Sequence, residues 1–176
     1  MRAHSCFSLG YGILKPEELV GWALQNGHQQ LLLTDINHTG SGLAFVRAAQ
    51  NNGLKPLLGL ELRNGFAQIA TIIARNNSGF QELNAYLTGH LLGAKPFVLP
   101  LPSFDNCWVW YPLQQHPPTL SPHEFIAVQP SQIIQWQRGQ RLFENHKYVA
   151  DIPMSFRHKR DHNTHRLLRA ITNNCL

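Results

Sequence analysis

Short apolar runs recur along the whole chain, and the stretches between them are amphipathic or rich in helix-breaking residues. That alternation is the pattern of strands feeding helices in a parallel α/β sheet or barrel. The runs at 31–34, 57–60, 69–74, 108–110, 125–128 and 148–150 are each bounded by polar or breaking residues. With a stub at residues 2–4 they predict about seven strands.

The intervening segments carry helix punctuation. Pro16 followed by Glu17 and Glu18 reads as a start, because proline fits the first turn and carboxylates suit the positive end of the dipole. Asn26-Gly27 then closes this helix near Gln25. Ser78-Gly79-Phe80-Gln81 has the form of a capping box, and Phe80, Leu83, Tyr86 and Leu87 follow at helical spacing, so a helix is expected over 79–88. Further helices are expected at 42–51, 131–138 and 160–172. Seven of the 11 prolines fall between residues 93 and 122, which predicts loops around one buried strand there.

Composition bounds the class. With 43% hydrophobic and 14% charged residues the chain is too apolar for a disordered segment. At 176 residues, with no repeat or charge block dividing it, a single domain over 1–176 is expected. No run of 18 uncharged apolar residues occurs, and no apolar leader follows Met1, so a cytoplasmic location without membrane contact is expected. The three cysteines, Cys6, Cys107 and Cys175, are scattered and read as reduced thiols. A net charge of +5 suits a polyanionic partner without demonstrating one.

Polar residues at the C-terminal ends of parallel strands converge on one rim. His4, Asp35 and Glu61 stand at such ends, and one imidazole with two carboxylates could form part of a zinc or manganese site. Equally, Asp35 could begin a turn, Glu61 could be a solvated strand end and His4 an ordinary polar contact. Cys6 lies two residues from His4, but residues so spaced on a strand point the same way without bonding to each other.

The same residues carry a resemblance. Arg2-Ala3-His4-Ser5, Thr34-Asp35-Ile36-Asn37 and Gly53-Leu54-Lys55-Pro56-Leu57-Leu58-Gly59-Leu60-Glu61 resemble the first three motifs of the PHP (polymerase and histidinol phosphatase) domain in the bacterial DNA polymerase III alpha subunit. The third motif is the most specific. The similarity extends through 74–83 and to the segment 165–171, and is loose between 90 and 145. It implies a small distorted (β/α)7 barrel of the PHP type, forming the N-terminal part of a longer polymerase chain.

Active members of that family hold metals with a His-x-His, a Thr-Asp-His, a Glu after the third strand, a His on the next strand and a late Asp-x-His. This chain keeps His4, Asp35 and Glu61. Arg2 replaces the first His, Ile36 the His after Asp35, and Ile69 the His of the fourth strand. The late motif aligns with Pro153-Met154-Ser155, so Pro153 and Ser155 stand where its two ligands would be. Metal-assisted phosphoester hydrolysis needs several converging N and O ligands, and three are too few for a cluster. A guanidinium cannot bind a cation, so Arg2 places its charge where metal charge would sit, with Asp35 or Glu61 as candidate partners.

A degenerate site without cofactor is therefore expected, the alternative being one residual Mn or Zn ion. The resemblance implies a structural role: stabilising the rest of the polymerase chain, docking the proofreading exonuclease subunit and meeting DNA only indirectly. The alternative is a metal-dependent phosphoesterase with a reduced site, completed by His38 or Asp151. The polymerase's acidic triad has no match here, so this chain alone is not expected to polymerise DNA.

Two further groups stand out. His158, His162 and His165 lie at i, i+4 and i+7, one helical face, among Arg157, Lys159, Arg160, Arg166 and Arg169. The cations oppose metal capture and make the stripe a candidate phosphate or partner contact. Trp108, Trp110 and Tyr111 read as core, since base stacking would need exposed rings beside basic residues.

Overall fold

A computed structural model describes residues 1–139 and 142–175. They form two compact units, Met1–Leu58 with Pro153–Leu176, and Gly59–Ile152.

In the first unit β1 (Arg2–Ala3) lies between β2 (Gln30–Ile36) and the late strand Pro153–Met154, parallel to both. Helices α1 (Pro16–Gln25) and α2 (Gly42–Asn51) begin and end where the punctuation places them. At the start of α1, Glu18 accepts from the Lys15 backbone N–H at 2.9 Å. Ala3, Leu31 and Leu33 form a core with Leu19, Val20, Phe45 and Ala49 of the helices. The register sets Arg2 against Leu32 and Ala3 against Leu33. Because side chains alternate, the core takes Ala3, Leu31 and Leu33, while Arg2 and Leu32 point to the opposite face. The alternation carries Asp35 onto the core side and leaves Ile36 on the other.

The strand β3 (Lys55–Asn64) begins in the first unit and continues through the second. There it turns at Gly65, whose φ of 58° opens a two-residue loop, into β4 (Ala67–Ala74). β5 (Cys107–Pro112) and β6 (Glu124–Val128) follow, and β7 (Tyr148–Ala150) ends the row. β4 is antiparallel to β3 and to β5, whereas β6 is parallel to β5 and β7 to β6. The strand Pro153–Met154 of the first unit is therefore β8.

The α/β reading holds, with three corrections. An eighth strand exists, too short for any period to reveal, and the sheet is not uniformly parallel. β3 also runs three residues past Glu61, so this residue is mid-strand, opposite Thr71, rather than at a strand end.

Helix α3 (Asn77–Leu92) starts earlier and ends later than expected. Its cap is Asn76, whose side chain accepts from the Gly79 N–H at 2.9 Å, and not Ser78. α3 packs Leu83 and Leu87 on Leu60, Leu62, Ile72, Val109 and Ile126, and the proline-rich loop closes over them with Phe97, Leu101 and Phe104. The short α4 (Ile133–Arg138) precedes β7, and α5 (Lys159–Thr172) is the last element.

Candidate functional site

The first unit places Arg2 and His4 together. Arg2 is 2% exposed and His4 wholly buried, and Arg2 Nη1 lies 3.1 Å from His4 Nε2. A guanidinium only donates, so Nε2 accepts and Nδ1 carries the imidazole hydrogen. Nδ1 faces Ser155 Oγ at 3.3 Å, which leaves the hydroxyl as acceptor. Tyr11 meets the ring edge-on, with centroids 5.0 Å apart. The nitrogen lone pair that a metal would use is thus directed at a fixed cation.

Asp35 has a different surrounding. Its Oδ1 accepts from the Ser5 backbone N–H at 2.6 Å and from Ser8 Oγ at 2.7 Å. Its Oδ2 accepts from Ser5 Oγ at 2.6 Å and from Ser41 Oγ. Ser41 precedes α2 and directs its hydroxyl to Asp35 rather than to the helix N-terminus. Ser8 Oγ in turn accepts from the Ile36 N–H at 3.0 Å, so the serines link the carboxylate to backbone. His38 stands nearby: its Nδ1 accepts from the Gly40 N–H at 3.0 Å, leaving hydrogen-bearing Nε2 3.9 Å from Asp35 Oδ2, beyond hydrogen-bond reach.

In the second unit Glu61 is buried and bonded by Arg63 Nε, and Ile69 joins the apolar core. Pro153 pairs with Arg2 in the sheet. Among the described residues, no three His, Cys, Asp or Glu side chains gather so as to hold a metal ion. Burial and the neighbouring Asp35 charge both raise the Cys6 thiol, which opposes a nucleophilic thiolate.

The histidine stripe is divided by its contacts. His158 is the cap of α5, accepting from the Asp161 N–H at 3.4 Å, while His162 and His165 pack on Phe156. His165 Nδ1 donates to the Tyr11 carbonyl at 2.6 Å. Arg157 bonds Asp161 at 2.8 Å, which holds that carboxyl below the usual carboxylate range, and reaches Glu18 at 3.6 Å. Arg169 lies over the Tyr11 ring at 5.4 Å. Lys159, Arg160 and Arg166 remain exposed. Ser155, singled out in the sequence as a lost ligand position, meets His4 instead, while Ser5, Ser8, Ser41 and Tyr11 were given no role there, being isolated polar positions that only the folded loops bring to Asp35 and His4.

The PHP domain family model matches residues 1–100 of this chain. The chain belongs to the PHP family. An error-prone DNA polymerase of Symbiobacterium thermophilum is 32% identical over 100 residues, 57% of this chain and 9% of that protein. A DNA polymerase III subunit alpha of Buchnera aphidicola is 30% identical over 90 residues, 47% of this chain and 8% of the relative. This PHP chain thus spans about a tenth of the length of these curated relatives. A solved two-domain protein from Bacteroides vulgatus, described as containing a predicted PHP-like metal-dependent phosphoesterase, is 15% identical with a TM-score of 0.47, covering 77% of this chain and 46% of its own. Among the described residues no helix is long and apolar enough to cross a membrane.

Proposed function

We propose that this PHP domain is catalytically inactive and serves as a structural module of a bacterial DNA polymerase, bracing the rest of the polymerase chain and offering a docking surface to the proofreading exonuclease subunit. The observation that carries this reading is the Arg2–His4 contact, in which a guanidinium is held against the Nε2 lone pair. The serine cage on Asp35 adds to it, because both carboxylate oxygens are taken by hydroxyl and N–H donors. A phosphoesterase centre needs metal-bound water and a positive cradle for phosphoryl oxygens. Arg2 supplies charge without an open coordination position. Polymerase association and a place in DNA replication are inferred from the relatives, whose PHP regions this chain resembles over their matched segments.

The test is metal content by elemental mass spectrometry after chelation and re-equilibration with manganese and zinc, with hydrolysis of p-nitrophenyl phosphate assayed on the same samples. No stoichiometric metal and no metal-stimulated hydrolysis are expected. Stoichiometric metal that disappears in His4→Ala, together with hydrolysis, would replace this reading with a reduced metal-dependent phosphoesterase.

A further inference from the structure

β5 divides its side chains cleanly between two faces. Cys107, Val109 and Tyr111 enter the core of the second unit, while Trp108 and Trp110 point to the other side. Trp108 is 40% exposed and Trp110 half-buried, so the expectation that this aromatic run is core holds for Tyr111 and not for Trp108. The register sets Trp110 beside the half-buried Phe125 of β6, which puts three rings on one sheet face. Trp108 and Trp110 stand about 7 Å apart along the strand, and Phe125 lies about 5 Å to the side of Trp110.

Cations stand at both ends of this row. Arg75, just past β4 and exposed, lies over Trp108 with its guanidinium carbon 5.5 Å from the ring centroid. Lys147 Nζ lies 5.5 Å from the Phe125 centroid and is fixed by the carbonyls of Ser121, Pro122 and Glu124 at 2.7, 3.2 and 3.3 Å. Two neighbouring carboxylates, Glu82 and Glu124, are engaged elsewhere. Glu82 accepts from Asn106 N and Nδ2, and Glu124 from Tyr111 Oη and the Ser121 N–H.

We infer that the Trp108–Trp110–Phe125 face is a binding platform for single-stranded DNA, with the rings stacking bases, Arg75 meeting one phosphate and the charge of the carbonyl-held Lys147 facing a second. Charge decides the occupant. An apolar protein helix laid on the rings would strip water from the exposed Arg75 guanidinium without pairing it, which is costly. A single strand offers a π-face for each ring and an anion for each cation, and it needs no sequence to do so. A duplex hides its base faces and cannot use the rings.

The test is fluorescence anisotropy of a labelled oligothymidylate of about 12 nucleotides, titrated with the 176-residue chain at several salt concentrations. Binding is expected with a shallow salt dependence, a log–log slope near −1.4 for two phosphate contacts. Trp108→Ala, at an exposed position, should weaken it about tenfold, and Trp108→Phe should recover most of that loss. Arg75→Gln should lower the slope by about 0.7. The double variant Arg160→Gln/Arg166→Gln on α5 should bind as the parent does. No binding, equal binding of a duplex, tighter binding of an oligouridylate, or loss in the α5 variant with retention in Trp108→Ala would each overturn the assignment.

Discussion

Arg2 donates from Nη1 to Nε2 of His4, two residues away on the same strand face and equally cut off from water. The contact is charge-assisted, a guanidinium donating to a neutral imidazole nitrogen, and hydrogen bonds to charged groups contribute ~1.5–3 kcal/mol. A double-mutant cycle with Arg2→Met and His4→Phe, followed by urea denaturation, should return a coupling energy of about 1–3 kcal/mol. The double variant should be more stable than the sum of the single losses allows. Additive losses would mean that the two residues act independently.

The Asp35 cage makes a second, larger prediction. A carboxylate accepting from three hydroxyls and one N–H is matched to its donors, and hydrogen bonds to charged groups contribute ~1.5–3 kcal/mol each. Asp35→Asn presents an amide NH2 to hydroxyls that are themselves donating, and should destabilise the first unit by about 3 kcal/mol. Ser41→Ala should cost about half of that. Thermal unfolding of both variants measures this order, and an Asp35→Asn protein as stable as the parent would show that the cage is not a stabilising element.

What the sequence revealed and what it withheld divide along physical lines. α1 and α2 were legible to the residue because Pro16 and the two Asn-containing stops act locally. The hairpin of β3 and β4 was signalled by Asn64-Gly65, but taking the strand to end at 60 hid it, and with it the antiparallel order. His4 and Asp35 were read as one rim, yet strand alternation sends them to opposite sides of the sheet. The serines around Asp35 come from two loops 33 residues or more apart in sequence, a coincidence no spacing rule encodes. Position 79 was legible only as part of a cap; its demand for glycine comes from a tertiary contact.

That contact is specific. A Cβ on Gly79 would stand 2.1 Å from the carbonyl oxygen of Asn106, a backbone atom that also accepts from the Arg75 N–H at 3.0 Å. Alanine improves intrinsic helix propensity by up to ~1 kcal/mol, but here the helix and the strand entry must separate. Gly79→Ala should therefore destabilise by about 2 kcal/mol or more, the range of overpacked cores. Urea denaturation decides between the two effects, and a stabilised variant would mean that α3 shifts freely on the sheet.

Acidification should loosen α5 through His165. Burial holds this imidazole below the usual histidine range, with the charges of Arg169, His162 and His4 acting in the same direction against the donation to Tyr11. The unfolded chain binds the proton near pH 6.5, whereas the folded chain does so only at lower pH. Stability from this group is therefore complete above about pH 6.5 and is lost as pH falls from there towards the folded value. Asp161, held low by Arg157, adds a second loss only once pH falls below about 4, where the unfolded carboxyl takes up its proton. His165→Gln keeps a donor for the Tyr11 carbonyl and removes the titration. The stability of the parent minus that of His165→Gln, measured by urea denaturation between about pH 7.5 and 5, should stay flat in the upper part and fall in the lower. A difference that is constant with pH would show that the folded chain accommodates the protonated ring without cost, and a rising difference would reverse the sign of the burial effect.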